Sequence, residues 1–239
     1  MTYFQRKWFS EYSERFLCNT SDYEQINQLV NQRLGGLHSA KILLASVDFD
    51  EIEKLQSQNE WEKSGQILGE VAKSLEKAGA EFFLICTNTM HKVADQVQEA
   101  VTIPMLHIAD ATIKELNQNK ITKVGLLGTK YTMQQDFYKQ RILASNIEVL
   151  VPESEDIEKI NQVIFNELVL GEITPESKQE YQIIIEKLIA AGAQGIILGC
   201  TEIGLLIQQD DVTIPIFDKT VIHSKAAVDY ALNDSEQLN

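Results

Sequence analysis

An internal repeat is the sequence feature that most constrains the fold of this chain. The triplet Ala-Gly-Ala occurs at residues 78–80 and again 113 residues later, at 191–193. A Cys-Thr pair follows each triplet, at Cys86 and at Cys200, 114 residues apart. The tetrapeptide Val-Thr-Ile-Pro at 101–104 recurs at 212–215. Matches in the same order at a nearly constant offset predict two similar lobes.

Short apolar runs alternate with amphipathic stretches in both halves, which is typical of βαβ units. We therefore expect an α/β fold of two pseudo-symmetric Rossmann-like lobes, each with a mostly parallel central sheet and with the active site in the cleft between them. The predicted strands are residues 42–47, 82–86, 105–108, 123–127, 147–151, 195–199 and 214–217. The predicted helices are residues 23–34, 64–77, 90–99, 132–144, 158–170, 175–190 and 219–232. Lobe 1 is expected at 23–118, with a C-terminal helix packing across as one option, lobe 2 at 119–232, and a frayed tail at 233–239.

Composition limits the classes of partner. The chain holds 21 Lys and Arg against 35 Asp and Glu, so its net charge of −14 opposes binding to nucleic acid. It contains no apolar run near the roughly 20 residues that a bilayer requires, and its first residues lack the apolar core of a signal peptide. Three widely spaced cysteines favour free thiols in a reducing compartment. These features predict a soluble cytoplasmic protein without a membrane or nucleic-acid partner.

The two repeated cysteines carry the candidate chemistry. Cys86 and Cys200 each end a predicted strand and precede residues suited to start a helix, where a thiolate and a bound carboxylate are stabilised. If the lobes are related by a pseudo-two-fold axis, the thiols face each other and can invert a carbon by removing and delivering a proton. Taken singly, each cysteine also fits a buried structural role. Their matching positions favour joint catalysis, whereas Cys18 has no such context.

The histidines do not show the spacing of a metal site, so no metal is expected. His91 lies close to Cys86 in the presumed helix start. It could orient a ligand, but a structural cap or a surface role is equally compatible with its position.

Six motifs extend the pattern over nearly the whole chain. They are RLGGLHSA at 33–40, SVDF at 46–49, CTNTMH at 86–91, LLGT at 126–129, GCTEI at 199–203 and FD at 217–218. This ordered set resembles the aspartate/glutamate racemase family, and within it the broad-specificity amino-acid racemases.

The resemblance implies a cofactor-independent amino-acid racemase that uses neither pyridoxal phosphate nor a metal and forms a homodimer. It implies that Cys86 and Cys200 are the acid/base pair. The expected substrate-binding residues are Thr87, Asn88, Thr89, Thr129, Thr201 and Glu202. Glu202 would receive the substrate ammonium group or tune Cys200, although a purely helix-capping role is comparable.

Substrate range is the least constrained inference. A second carboxylate needs a cation, and the motifs that we match supply none: residues 46–49 carry Asp48 and residues 169–174 carry Glu172. This favours a broad or neutral range, with aspartate or glutamate as the competing substrate. The same residues are also compatible with a related two-cysteine enzyme acting on hydantoins, maleate or arylmalonates, and with a ligand-binding paralogue that has lost its chemistry.

Residues 1–22 do not fit the repeat. The stretch that should match the strand and turn at 123–129 lies near residues 9–15 and has no glycine turn, whereas the family has an apolar strand ending in Gly-Gly-Met-Ser there. One hypothesis is a shifted reading frame or alternative start, which would deprive lobe 1 of its central strand. The competing hypothesis is a divergent segment that still forms the strand, for example around residues 15–18.

Overall fold

A computed structural model of the chain describes residues 8–11 and 18–233. Within this range the fold is α/β with parallel sheets, as the alternating pattern predicts. The chain forms two compact units. The first runs through Ile108 and resumes at His223, and the second comprises Ala109–Ile222.

The first unit is built on a parallel sheet of order β2-β1-β3. Its strands are β1 (Trp8–Glu11), β2 (Ile42–Ala45) and β3 (Leu84–Ile85). Its helices are α1 (Cys18–Leu34), α2 (Phe49–Ser57), α3 (Trp61–Lys77), a 3₁₀ turn at Thr89–Val93 and α4 (Ala94–Glu99). Phe83 also forms an isolated parallel bridge with Met105.

The second unit has a four-stranded parallel sheet of order β5-β4-β6-β7. Its strands are β4 (Lys123–Leu127), β5 (Glu148–Leu150), β6 (Ile196–Leu198) and β7 (Ile216–Asp218). The helices that begin or lie within it are α5 (Ile108–Gln118), α6 (Lys130–Gln134), α7 (Asp136–Leu143), α8 (Ser154–Asn166), α9 (Pro175–Ala190), α10 (Ile203–Leu206) and α11 (Lys219–Asn233), with 3₁₀ turns at Leu168–Leu170 and Gln209–Asp211. The chain changes unit just after the start of α5 and again within α11.

The repeat is visible in the backbone of the two units. β1 lies between β2 and β3 as β4 lies between β5 and β6. Each Ala-Gly-Ala triplet ends a helix in the same way, with Gly79 at φ 88° and Gly192 at φ 98°. The following alanine N–H reaches back five residues, from Ala80 to the Leu75 carbonyl and from Ala193 to the Leu188 carbonyl. This Schellman closure needs the left-handed glycine, which explains why the triplet recurs.

Each unit has its own apolar core. In the second unit, α8 and α9 pack onto the sheet through residues such as Ile160, Ile184 and Leu198. In the first unit, α3 and α4 cover one face of the sheet, and α1 and the end of α11 cover the other through Ile26, Val30 and Val228. Strands β3, β4 and β6 are almost fully buried, which explains their near-continuous apolar runs.

The described backbone does not agree with the hypothesis that lobe 1 lacks its central strand. Trp8–Glu11 is extended and pairs with β2 along its whole length, and its last two residues pair with β3. Parallel pairing on both sides satisfies ladder groups that would otherwise be orphaned. The described part of the segment thus takes the strand's place, upstream of residues 15–18. Residues 1–7, 12–17 and 234–239, which include the expected frayed tail, lie outside the described residues, and the origin of the segment stays a prediction.

The boundary between the units also differs from the expected division between residues 118 and 119. The contacts divide the chain after Ile108, and residues from His223 onward join the first unit. The reason is that α5 precedes β4 but packs with the second unit, where Tyr138 donates a hydrogen bond to Thr112 and Arg141 pairs with Asp110. Among the described residues, no helix is both long and apolar enough to cross a membrane.

Candidate active site

The first candidate cysteine lies in a buried turn. Cys86 directly follows β3 and is 2% exposed. The expected substrate-binding residues Thr87, Asn88 and Thr89 are buried as well. The Thr87 hydroxyl accepts from the Met90 N–H at 3.4 Å, and the Asn88 carbonyl accepts from the His91 N–H at 3.1 Å. The turn therefore folds back on itself just beyond the carboxyl end of its strand, which is where ligands bind in parallel sheets.

His91 is part of this turn and makes contacts from both of its ring nitrogens. Nδ1 lies 2.8 Å from the Thr87 carbonyl oxygen, and Nε2 accepts from the Ile108 N–H at 3.2 Å. A carbonyl oxygen only accepts, so Nδ1 carries the proton and the ring is neutral. These contacts distinguish the roles that the sequence allows for this histidine. Both ring nitrogens of His91 form hydrogen bonds with backbone groups, so the side chain has a structural role in this turn.

The second candidate cysteine has a buried carboxylate as a hydrogen-bond partner. Cys200 follows β6, is 8% exposed, and donates its thiol proton to Oε2 of Glu202 at 2.9 Å. Glu202 is itself buried. Nearby, burial is the main cause that raises the pKa of Tyr181, and Coulombic repulsion from any negative charge at Cys200 adds to the shift. The Tyr181 phenol stays protonated and donates to the Ile160 carbonyl.

Glycines let the neighbouring strand ends approach closely. The Gly199 N–H donates to the Leu127 carbonyl at 2.6 Å. A Cβ on Gly199 would lie 2.6 Å from that oxygen, and one on Gly128 would lie 3.4 Å from the Gly199 carbonyl carbon. Thr129 follows as the N-cap of α6 and accepts from the Thr132 N–H. Thr129 and Cys200 therefore leave adjacent strands at the same sheet edge.

The end of β7 adds two residues, Lys219 and Thr220, that the motifs do not include. Thr201 is within hydrogen-bond distance of Thr220, with 3.2 Å between the hydroxyl oxygens. Asp218 accepts from the Thr220 and Val221 N–H groups, and burial raises its pKa above the ordinary 3.8. Lys219 is 2% exposed and is the one lysine in the described range that is buried. It stands directly after the FD motif, so a buried cation follows this motif although the motif itself contains none.

The expected helix-dipole stabilisation of the thiols is not supported. The helix after Cys86 begins as a five-residue 3₁₀ turn, and α10 after Cys200 has four residues. A dipole sums over aligned peptides, so such short helices provide little field.

The structure thus groups the predicted residues within each unit. Cys86, Thr87, Asn88 and Thr89 share one turn of the first unit, and Thr129, Cys200, Thr201 and Glu202 lie at one sheet edge of the second. Among the described residues, no three His, Cys, Asp or Glu side chains are grouped to hold a metal ion. The chain is thus an α/β protein that repeats a Cys-Thr turn after equivalent parallel strands of its two units.

Comparison with known proteins identifies the family. The model of the Asp/Glu/Hydantoin racemase family matches residues 17–227. The chain is 31% identical over 160 residues to the broad-specificity amino-acid racemase RacX of Bacillus subtilis, covering 66% of this chain and 67% of that protein.

Solved structures agree. A Yersinia pestis protein provisionally named an Asp/Glu racemase is 49% identical with a TM-score of 0.91, covering 95% of this chain and all of the other. An aspartate racemase homologue from Pyrococcus horikoshii is 33% identical with a TM-score of 0.86 at the same coverage. The chain belongs to the Asp/Glu/Hydantoin racemase family, and the prediction of an amino-acid racemase is confirmed at this level.

Proposed function

We propose that the protein is a cofactor-independent racemase of broad amino-acid range, with Cys86 and Cys200 as its acid/base pair. The observation that carries the proposal is the repeated Cys-Thr turn at the carboxyl ends of equivalent strands β3 and β6. One repeat thus supplies two thiols in the same backbone setting. Similarity to a broad-specificity racemase supports the substrate class.

In the proposed reaction the thiols exchange roles. One thiolate removes the α-proton and becomes a thiol, leaving the electron pair on the α-carbon and its carboxylate. The other thiol delivers its proton to the opposite face and becomes a thiolate. The product is the enantiomer, and the enzyme is left with its two protonation states reversed. The mechanism requires that both thiols reach one α-carbon from opposite sides.

The remaining site residues would hold the substrate. Hydroxyl and amide groups of Thr87, Asn88, Thr89, Thr129 and Thr201 are suited to bind the α-carboxylate, because they donate hydrogen bonds without adding charge. Glu202 already accepts from the Cys200 thiol. We propose that it keeps Cys200 protonated at the start of one half-reaction, and that its second oxygen attracts the substrate ammonium group.

A dicarboxylate-specific enzyme is the second candidate, and Lys219 is the observation that favours it. A buried ammonium beside the β7 end could offset the cost of a second carboxylate, which is several kcal/mol without a cation. The broad proposal expects kcat/KM for homoserine and methionine at least equal to that for aspartate and glutamate. A preference above about tenfold for a dicarboxylate, worth about 1.4 kcal/mol, contradicts it. Loss of that preference in Lys219→Met would then identify the cation.

The decisive test is incorporation of solvent deuterium at the α-carbon of enantiopure amino acids. Wild-type protein should exchange and invert them, whereas Cys86→Ser and Cys200→Ser should stop inversion because a serine hydroxyl is a poor base at neutral pH. Each variant keeps one thiol, so exchange without inversion can persist. Cys18→Ser serves as the matched control with unchanged turnover.

Two results would refute the proposal or replace it. A wild-type protein that binds amino acids without any exchange would be a ligand-binding paralogue. Exchange confined to hydantoins, maleate or arylmalonates would assign it to another reaction of two-cysteine enzymes.

The remaining features of the proposal concern the molecule in the cell. We propose a cytoplasmic homodimer that acts without pyridoxal phosphate or metal, on a small-molecule amino acid and not on nucleic acid or a membrane. Light scattering tests the dimer and cell fractionation the compartment. Activity after exhaustive chelation and after treatment with a carbonyl reagent tests independence from cofactors.

A further inference from the structure

The backbone of residues 105–108 differs from its counterpart in the second unit. There, β7 pairs with β6 over three residues, ending at Leu198 and Asp218. In the first unit the pairing stops at the isolated bridge of Phe83 with Met105, after which the Leu106 N–H donates to the Phe83 carbonyl at 2.9 Å. The segment after Leu106 therefore needs hydrogen-bond partners other than a strand.

Two imidazoles supply them. Nε2 of His223 donates to the Leu106 carbonyl at 2.7 Å, and Nε2 of His91 accepts from the Ile108 N–H at 3.2 Å. His223 is 0% and His91 4% exposed, so both bonds form away from solvent. The His223 side chain thus takes the place of a ladder bond at Leu106, and His91 satisfies the first N–H of α5.

His91 connects this segment to the turn that holds Cys86. Its Nδ1–H donates to the carbonyl of Thr87, the residue after Cys86. The edge of the His107 ring packs against it with 4.5 Å between centroids, and the His223 ring lies 6.2 Å away. These neighbours restrict rotation of the His91 ring. The ring therefore holds the Thr87 carbonyl and the Ile108 N–H at a fixed distance from each other.

We propose that His91 is a positioning residue for Cys86. Its neutral Nδ1–H tautomer ties the Thr87 carbonyl to the Ile108 N–H and thereby sets where the Cys86 thiol lies. The inference rests on the proposed function, because its effect on proton transfer presupposes that Cys86 is one of the two acid/base groups. Small displacements of a reacting group reduce rates strongly, which gives the proposal a measurable consequence.

Three substitutions separate the two hydrogen bonds. His91→Asn places an amide N–H near the position of Nδ1 and keeps the donor to Thr87. His91→Gln places an amide oxygen near the position of Nε2 and keeps the acceptor for Ile108. His91→Phe retains an aromatic ring and removes both bonds. His38→Asn, at an exposed histidine of the same unit, is the matched control.

The readout is the ratio of inversion to α-deuterium exchange, with site-specific alkylation of Cys86 and Cys200 measured by peptide mass spectrometry. We expect inversion to fall at least 100-fold in the Phe variant and about tenfold in the Asn and Gln variants, while exchange falls less because Cys200 still acts. The alkylation rate of Cys86 should change by at least threefold and that of Cys200 should not. A role confined to stability would lower inversion and exchange equally.

The proposal is overturned if the inversion-to-exchange ratio and Cys86 alkylation in folded variants equal those of the His38→Asn control. Should the Phe variant fail to fold, the Asn and Gln pair decides, since each keeps one bond. If the wild-type protein exchanges no amino acid, the racemase proposal fails on its own. The alkylation comparison then still tests whether His91 positions Cys86.

Discussion

The contact between Cys200 and Glu202 gives the sharpest prediction, because Glu202→Gln changes the charge of the partner and little else. A thiolate at Cys200 would lie about 4 Å from the charge centre of the carboxylate, given the 2.9 Å between sulfur and oxygen. At an effective dielectric constant of about 20 this repulsion is about 4 kcal/mol, which opposes ionisation of the thiol. The glutamine should therefore increase the thiolate fraction of Cys200 at pH 7.

Alkylation with iodoacetamide, followed at each cysteine by mass spectrometry, measures this change. A more acidic thiol is also a weaker nucleophile, which offsets about half of the gain on a logarithmic scale. We expect the alkylation rate of Cys200 to rise about 10- to 30-fold, with Cys86 in the same sample as internal control. An unchanged or slower reaction at Cys200 would refute the view that Glu202 favours the protonated thiol.

Three further predictions concern stability and site geometry. Burial raises the pKa of Asp218, so its contribution to stability is present below the unfolded pKa of 3.8 and is lost as pH rises through the folded pKa. Asp218→Asn keeps the oxygen that accepts two N–H groups and should increase the free energy of unfolding at pH 7 by up to about 1 kcal/mol. In urea titrations this gain should vanish below about pH 4. Gly199→Ala places a Cβ 2.6 Å from the Leu127 carbonyl, which should cost about 1–3 kcal/mol and lower kcat by displacing Cys200, whereas Gly69→Ala, 3.1 Å from a methyl group, should leave kcat unchanged. Tyr138→Phe removes a buried hydrogen bond to Thr112 and should cost about 1–2 kcal/mol in the same titrations, equally at every pH below 10 because the pKa of Tyr138 is raised to about 12; a pH-dependent loss would contradict that placement.

Sequence reasoning was most accurate where local signals define an element. Helix α9 matches the predicted 175–190 at both ends, because Thr174 caps it, Pro175 fits the first turn and Gly192 lies just beyond its end. The predicted helix at 132–144 is instead two helices, since Gln135 is extended at ψ 158°. Periodicity continued through that residue, and only packing reveals the break.

Elements that depend on distant partners were not predictable in this way. Strand β1 has neither the composition nor the glycine turn of its counterpart, and pairing with β2 and β3 places it in the sheet. Helix α2 is not among the predicted helices, although Asp48 of the SVDF motif is its N-cap and accepts from the Asp50 N–H. The sequence therefore contains a helix-capping signal at Asp48, which the motif interpretation does not use.

The candidate site shows the same division. The repeat alone identified Cys86 and Cys200, because duplication makes position informative. It could not identify the contact of His91 with His223, whose residues are 132 apart in the chain and have no counterpart in the other unit. Lys219 is outside the predicted site for a simpler reason, because it is the residue directly after the last motif.

The two cysteine turns lie in repeated backbone positions but have different neighbouring residues. In the proposed reaction this difference has a bounded effect. Two residues beyond Cys86 lies neutral Asn88, whereas two residues beyond Cys200 lies Glu202, which accepts from the Cys200 thiol. Enantiomers have equal free energies in water, so the equilibrium constant is one and kcat/KM must be the same in both directions. We therefore expect Glu202→Gln to change kcat by different factors for the two enantiomers. The KM of each enantiomer should change with its kcat, so that kcat/KM stays equal in the two directions. Progress curves started from either enantiomer measure both constants, and a variant whose kcat/KM differed between the directions would be incompatible with simple racemisation.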